Sequence, residues 1–501
     1  MRALTLFLIA AFAFPRALGA AEAALDFEPI PGEKSGLTHK LNADPALGKL
    51  ETPYLGPLVD LNNDGHVDIH WYGHSGGGAA FFFGDGPGHF NFCGDKYADR
   101  WAFHAFSPLW WDVSGTGRLD CAASWATTGF FLNDGQGHFK KLNDSGLGLL
   151  VDPDGSGVCD AQWVYGQGLI ELDPKPSAWG GKFPEKLAGK LAWKAEDKLG
   201  WPDGEQRSPH PLAPKFGAAY SVDLDGDNKN ELIVTFHGAK LYAWVLERDP
   251  AVAGPGGWKE ATEARGLPKG AGHFYFPEDL NNDGALDLLD LASGEVYLNN
   301  GKGHFAKADY RIFDPATRKG GAPFDDDGRF ELRDLDNDGH QDLVSANFHG
   351  TACGLFMNRG GRFEEVKAPF PLMRVQFAIG DVDGDGALDV VYQKGDMLEL
   401  LHNKTANLGL TVHVVPKAPA LQQLGCKLWV YKAGQLGKPE GLLHYRQCFM
   451  ERGNTNDMVL DGKLHVGLGK EETVDIRVRF PSGEVRESPG AKAKSIITLK
   501  E

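Results

Sequence analysis

Short apolar runs, each entered through an acidic turn, recur along most of the chain. Ile69-His70-Trp71-Tyr72, Leu232-Ile233-Val234-Thr235, Leu288-Leu289-Asp290-Leu291, Leu343-Val344-Ser345-Ala346 and Val390-Val391-Tyr392 are the clearest. Runs this brief, bounded by Gly, Asn and Asp, predict strands and not helices. A second pattern keeps phase with the first: a strand, a tight turn, then an aromatic, at Phe82–Phe90, Phe131–Phe139, Tyr297–Phe305 and, more weakly, Phe356–Phe363. The Asn-Asp-Gly at Asn133 and Asn-Asn-Gly at Asn299 predict hairpin turns, because these residues supply positive φ. Each unit therefore reads strand, acidic loop, strand, turn, strand, Gly-rich turn, strand.

The acidic turn is a nonapeptide, D-x-[DNS]-x-[DST]-[GN]-x-x-[DE]. Its copies start at Asp60, Asp112, Asp152, Asp223, Asp279, Asp334 and Asp381, separated by 52, 40, 71, 56, 55 and 47 residues. A period near fifty marks a propeller blade or a comparable repeat. Oxygen side chains at positions 1, 3, 5 and 9 can converge on one hard cation, with the carbonyl of position 7 completing the cage and Gly at position 6 turning the backbone. No flanking amphipathic helices or position-12 Glu accompany the loops, so a helical EF-hand is excluded. The expected ligands are Asp60, Asn62, Asp64, His66 and Asp68 in the first loop, then Asp112, Ser114, Thr116 and Asp120 in the second. Asp152, Asp154, Ser156 and Asp160 serve the third, and Asp223, Asp225, Asp227, Lys229 and Glu231 the fourth. Asp279, Asn281, Asp283, Ala285 and Asp287 follow, then Asp334, Asp336, Asp338, His340 and Asp342, and finally Asp381, Asp383, Asp385, Ala387 and Asp389. Ca²⁺ is expected in five loops and in up to seven. The loops at Asp112 and Asp152 carry a hydroxyl at position 5, and such a loop can keep its turn through Asx-type hydrogen bonds without an ion.

This double pattern resembles the FG-GAP/VCBS repeat, as in the calcium-loaded propellers of integrin α chains and cartilage acidic protein, over roughly residues 26–405. The resemblance, with seven units of four strands, implies an all-β, seven-bladed calcium-binding propeller. The last unit lacks an outer strand after Leu398–His402, and Phe27–Leu37 looks like the outer segment Phe139–Leu147. The N-terminal segment is therefore expected to complete the seventh blade, which removes exposed sheet edges. From Asn407 the acidic signal ends, and alternating strands at Leu410–Val415, Lys427–Tyr431, Lys463–Gly467, Val474–Phe480 and Ser495–Leu499 predict a small β-sandwich. Leu424–Tyr431, His465–Gly469 and Val478–Gly483 resemble the ASPIC/UnbV domain, which usually has a small residue then Arg where this chain has Cys426-Lys427, and Trp where it has Phe480. The combination resembles the cartilage acidic protein family, with a propeller over residues 20–405 and the second domain over 406–501.

Composition adds location and excludes some partners. Met1–Gly19 has an early Arg, the apolar run Leu4–Phe14 and small residues at Ala17 and Gly19, the pattern of a cleaved secretory signal. A secreted or periplasmic protein is expected, with no membrane span, because no later stretch is long and apolar enough. About a third of the 68 acidic residues lie in the repeated loops, so divalent ions there would cancel most of the net charge of −17. No basic stripe remains for nucleic acid. Six cysteines, Cys93, Cys121, Cys159, Cys353, Cys426 and Cys448, favour disulfides in an exported chain, with Cys426–Cys448 the first expectation and Cys121–Cys159 the second.

Two functions fit these observations. One is a non-enzymatic module that binds an extracellular protein or glycan, most simply as a monomer. The other is a calcium-dependent lyase or cyclase with its site on the face opposite the acidic loops. His74, His237 and His349 fall at the turn after the second strand of their units, and His104 and His273 precede the first strand of theirs. These histidines are the catalytic candidates, and solvated surface turns are the simpler explanation of them. The insertion Lys175–Pro214, rich in Pro, Gly and Trp, is either a lid beside that face or an elongated loop. No G-x-S-x-G, H-E-x-x-H or dinucleotide fingerprint occurs.

Overall fold

The computed structural model describes residues 25–40, 53–73, 79–94, 109–111, 116, 118–123, 129–134, 138–141, 149–152, 154–157, 161–164, 168–172, 189–194, 217–237, 241–249, 257–270, 272–316, 328–347, 353–372, 376–417, 424–449, 458–459 and 461–501. Within these the chain is almost entirely β, apart from single short turns of helix at Gly32–Ser35, Glu263–Arg265 and Pro439–Gly441. No helix among the described residues is long and apolar enough to cross a membrane.

Each acidic repeat sits in its own antiparallel sheet, as in a β-propeller. The unit around Asp60 comprises Pro53–Val59, Asp68–Gly73, Ala79–Gly86 and His89–Gly94, paired in sequence order. The units around Asp152, Asp223, Asp279 and Asp334 repeat this order. Around Asp381 three strands, Phe377–Gly380, Asp389–Lys394 and Met397–Asn403, come from the repeat itself. The fourth is Phe27–Ile30, antiparallel to the last of them with Glu28 opposite His402. Leu55, Ile69 and Phe82 pack with Ala378, Val391 and Leu400 in one buried cluster, so the first and last units are neighbours. Gly36, at φ +77°, lies so close to the Phe90 carbonyl that a Cβ would sit 1.8 Å from that oxygen, and Gly266, at φ +84°, meets Phe305 in the same way. Both follow an outer strand and pack on the next sheet.

Neighbouring sheets are joined by a side chain whose role the turn pattern conceals. Asn299 does not supply the positive φ of its hairpin; Gly301 and Gly303 do. Its buried amide donates to the Leu286 carbonyl of its own unit (2.9 Å) and to the Leu224 carbonyl of the preceding one (2.8 Å). Its Oδ1 accepts from Gly301 and Gly303, so both donors and both acceptor positions are used. Asn133, Asn358 and Asn403 reach back in the same way to the carbonyls of Leu61, Leu280 and Leu335. In the first unit Gly84 replaces this Asn, and the Gly88 backbone N–H instead donates to the Val382 carbonyl of the last unit.

The C-terminal region forms two facing sheets. One holds Lys463–Gly469, Leu408–Val415 and Ile496–Lys500; the other holds Leu442–Gln447, Lys427–Lys432, Thr473–Arg479 and Val485–Lys492. Leu410, Val412, Leu428, Val430, Val466, Ile476 and Val478 fill the space between them. Leu442–Gln447 escapes the sequence pattern because its polar residues His444, Arg446 and Gln447 are themselves buried. Val485–Lys492 escapes it as a mostly exposed polar strand containing Pro489 and Gly490. The expected Cys426–Cys448 bridge is not formed. The two residues are adjacent through a backbone hydrogen bond and share the apolar core, but no disulfide joins them. Burial instead pushes the Cys426 thiol far above its ordinary range. Cys159 lies outside the described residues, and with it the second expected pairing.

This sandwich rests on the acidic-loop side of the repeats. His444 Nδ1 meets the Gly339 carbonyl at 3.1 Å, Gly469 donates to the Asn337 carbonyl at 2.7 Å, and Asn407 donates to Asp336 O at 2.7 Å. Phe449 packs against Tyr220 and Phe276 of two repeats, and Met458–Val459 adds a parallel strand beside Leu109–Trp110. Asn299→Asp keeps the shape of the inter-sheet contact but points an oxygen at two carbonyls. It is expected to destabilise the fold by about 2–4 kcal/mol in chemical denaturation; a change below about 0.5 kcal/mol would mean that this bond does not hold the sheets together.

Candidate metal centres

Two left-handed positions bend each of the six loops whose positions 4 and 6 are described. Position 6 is one, at Gly65, Gly157, Asn228, Gly284, Gly339 and Gly386; position 4 is the other, at Asn63, Gly155, Gly226, Asn282, Asn337 and Gly384. The first carboxylate then turns inward on the backbone. Asp60 accepts from the N–H groups of Asp64 (3.1 Å) and Gly65 (2.9 Å), and Asp334 from Asp338 (3.0 Å) and Gly339 (2.8 Å). Asp279 repeats this with Asp283 and Gly284, and Asp152 with Ser156 and Gly157. Asp223 and Asp381 accept from positions 4 and 6. The position-5 carboxylates of Asp64, Asp227, Asp283, Asp338 and Asp385 accept the N–H of His66, Lys229, Ala285, His340 and Ala387. Those hydrogen bonds fix position 7, whose carbonyl the sequence assigns to the ion.

Position 9 joins the loop to the sheet. Asp287 accepts from Leu280 N–H with one oxygen and from Asn299 N–H (2.8 Å) with the other. Asp342 does so with Leu335 and Asn358, Asp389 with Val382 and Asn403, and Asp68 with Leu61 and Gly84. Asp120 likewise receives Asn133 N–H at 2.7 Å, although Asp112 and Ser114 lie outside the described residues and Thr116 is exposed. Asp154 is exposed, and Asp160 lies outside the described residues.

Burial of these carboxylates works against their charge. Asp68 and Asp389 are pushed up to about 8, and Asp381 and Asp338 to about 6, first by burial and then by neighbouring carboxylates. Asp279, Asp287, Asp334 and Asp342 go well above the carboxylate range for the same reasons. Oxygens of Asp334, Asp336 and Asp342 come within 4.8 Å of one another, as do those of Asp381, Asp383 and Asp389 and those of Asp223, Asp225 and Glu231. In the Asp334 loop, Asp336 Oδ1 is buried with no hydrogen-bond partner, although Arg359 holds its other oxygen at 2.5 Å. An orphaned buried carboxylate oxygen beside two raised carboxylates fits a cation.

Four neighbouring groups lie outside the nonapeptide pattern, Arg359 among them, which bonds Asp338 at 3.3 Å as well as Asp336. His402 Nδ1 lies 3.1 Å from Asp383 and 3.2 Å from Asp389. Arg265 binds Glu231 at 2.9 Å and Asp225 at 3.4 Å, and Lys427 binds Asp223. His402 directly follows the apolar pair Leu400-Leu401, and nothing in its local sequence marks it. Lys427 is about two hundred positions from the loop it meets.

Of the candidate catalytic histidines, His74, His104 and His349 lie outside the described residues, and His237 ends its strand opposite Leu241. His273 is placed in full. Its Nδ1 bonds Asp290 at 2.8 Å and its ring stacks on Tyr275, at the end of the strand opposite the acidic loop. Asp290 also accepts from Phe274 N–H, Ala292 N–H and Ser293 Oγ, so it organises the turn as much as the imidazole.

Residues 334–392 match the FG-GAP-like repeat family. No curated protein matches the chain. Among solved structures, an Agrocybe aegerita lectin that recognises non-reducing terminal N-acetylglucosamine is 21% identical, at TM-score 0.41, over 66% of this chain and 82% of its own. Prolyl oligopeptidase B from Galerina marginata is 10% identical at TM-score 0.34, over 89% of this chain and 58% of its own. A TcdB2-TccC3 structure is 14% identical at TM-score 0.30, over 91% of this chain and 18% of its own.

The raised carboxylates set a pH dependence. In the ion-free protein Asp68 and Asp389 hold protons below about 8 and lose them above it, so their neutral-form stabilisation fades as pH rises through that value. An incoming divalent ion must displace those protons. Calcium affinity is therefore expected to fall by up to about tenfold per pH unit for each proton released between pH 8 and 6; calorimetric titrations showing equal affinity across that interval would contradict it.

Proposed function

We propose that the chain is a seven-bladed, calcium-stabilised β-propeller of the cartilage acidic protein type, exported from the cell. It binds an extracellular protein or glycan on the face opposite its acidic loops. The observation that carries the calcium reading is the Asp334 loop, where Asp336 Oδ1 is buried without a partner beside Asp334 and Asp342. The ion would be held by Asp334, Asp336, Asp338 and Asp342 with the His340 carbonyl, and it would supply the charge that those buried oxygens lack. The Asp381 loop also brings Asp381, Asp383 and Asp389 together, and the loops at Asp60 and Asp279 repeat the ligand pattern. Millimolar calcium outside cells suits such open, oxygen-rich loops, and the Leu4–Phe14 run supports export.

The choice of binding face follows from what covers the other one. His444, Gly469 and Asn407 of the C-terminal region bond to the loop backbones, which leaves the turns at the opposite ends of the strands to meet a partner. Rigid strands carrying variable turns are a common way to build such a surface.

Excess chelator is expected to lower the melting temperature by on the order of 10 °C, since several sites each add a few kcal/mol when well above their Kd. Magnesium is expected to restore little of this, because it demands a tighter octahedral shell. Asp336→Asn is expected to remove one bound calcium per chain. On a glycan and protein array, binding is expected to vanish with chelator and to weaken in His273→Ala at unchanged calcium content. A melting curve indifferent to chelator would remove the calcium reading, and array binding indifferent to His273→Ala and its neighbouring turns would remove the choice of face.

A further inference from the structure

The Asp223 loop has the same four acidic positions as the Asp334 loop, and each meets an arginine, Arg265 in the one and Arg359 in the other; among the described residues only the Asp223 loop also receives a buried lysine. Lys427, from the first strand of one sandwich sheet, bonds its ammonium to Asp223 Oδ2 and, at 3.0 Å, to Asn228 Oδ1. The pair is almost sealed from water, with the Lys427 side chain 10% and Asp223 1% exposed. From the other side Arg265 reaches Glu231 (2.9 Å), Asp225 (3.4 Å) and Glu247 (3.0 Å). Lys229 lies 3.6 Å from the remaining ligand, Asp227. The Asp279 loop offers the contrast: among the described residues no lysine or arginine is bonded to Asp279, Asp283 or Asp287, and all three are pushed up by burial.

We propose that the fourth loop is closed by the protein's own cations, Lys427 foremost, and that it anchors the C-terminal sandwich instead of holding calcium. The residues do not fit an additional divalent ion. The oxygens of Asp223, Asp225 and Glu231 that would meet it already face an ammonium and a guanidinium, and a third positive centre would sit within a few ångströms of both. Displacing Lys427 would strand its charge in a buried site. Neighbouring contacts point the same way. Asp223 N–H donates to Gln447 Oε1 at 3.2 Å, Gln447 donates to Asn230 Oδ1 at 3.4 Å, and Arg446 faces Glu278 at 3.6 Å. Lys427 and Gln447 are register partners on adjacent strands, so one edge of the sandwich is aimed at this loop. The sequence pattern shows seven similar loops because the lysine that distinguishes one of them comes from a different part of the chain.

The proposal uses the calcium reading only for contrast, and the test separates the two. Calcium bound to the full-length chain is counted by equilibrium dialysis for wild type, Asp223→Asn, Lys427→Met and Asp336→Asn. Hydrogen exchange of Lys427–Lys432 and Leu442–Gln447 is followed in chelator, where no ion contributes. Asp223→Asn and Lys427→Met are each expected to speed exchange in both strands at least tenfold without lowering the calcium count, while Asp336→Asn lowers it by one. An Asp223→Asn chain that loses one calcium overturns the proposal, as does unchanged exchange in Lys427→Met, which keeps the apolar stem should Asp223→Asn fail to fold. If Asp336→Asn and wild type bind equally little calcium, the general calcium reading fails, and the exchange data alone decide the anchor.

Discussion

A carboxylate removed from water needs a counter-charge or a proton, and this chain removes one in loop after loop. Asp68, Asp287, Asp334, Asp342 and Asp389 are all fully buried. An uncompensated buried charge destabilises by several kcal/mol, so the loops cannot be incidental decoration. The position-9 carboxylate spends both oxygens on backbone N–H groups, one in its own loop and one on the strand that carries the inter-sheet asparagine. Loop, strand and neighbouring sheet are therefore mechanically one object. Whatever neutralises the loop also fixes the spacing between sheets.

That coupling explains what the sequence made legible. The acidic nonapeptide and the strand after it must repeat together, and the repeat located the sheets. The N-terminal strand was legible from a deficit, since Met397–Asn403 had no outer partner within its own repeat, and Phe27–Ile30 lies beside it. Asn133 and Asn299 carry amides that face carbonyls of another sheet, and at Asn299 the positive φ that the turn pattern assigns to the Asn comes from Gly301 and Gly303. Position 4 had a readable signal, as each described loop places Asn or Gly there. Long-range electrostatics had none. Lys427 is one lysine among many, and only the fold brings it to Asp223.

The C-terminal sandwich changes how the acidic face is understood. It contributes buried polar residues to the loops and a phenylalanine to the repeat core, and the Cys426–Cys448 pair remains unbridged inside its own packing. Its many polar contacts on the acidic-loop side are the ground for proposing that recognition takes place at the opposite ends of the strands. The sandwich is held by hydrogen bonds to the carbonyls of Gly339, Asn337 and Asp336, which belong to the loop backbone itself.

The most direct measurement is an anomalous difference map from crystals grown with calcium. Peaks are predicted inside the loops at Asp60, Asp279, Asp334 and Asp381, each within oxygen-coordination distance of positions 1, 3, 5 and 9, and none at Asp223, where the Lys427 ammonium takes the place of an ion. A map with no peak in the Asp334 loop would contradict the claim that its buried carboxylates are held by an ion.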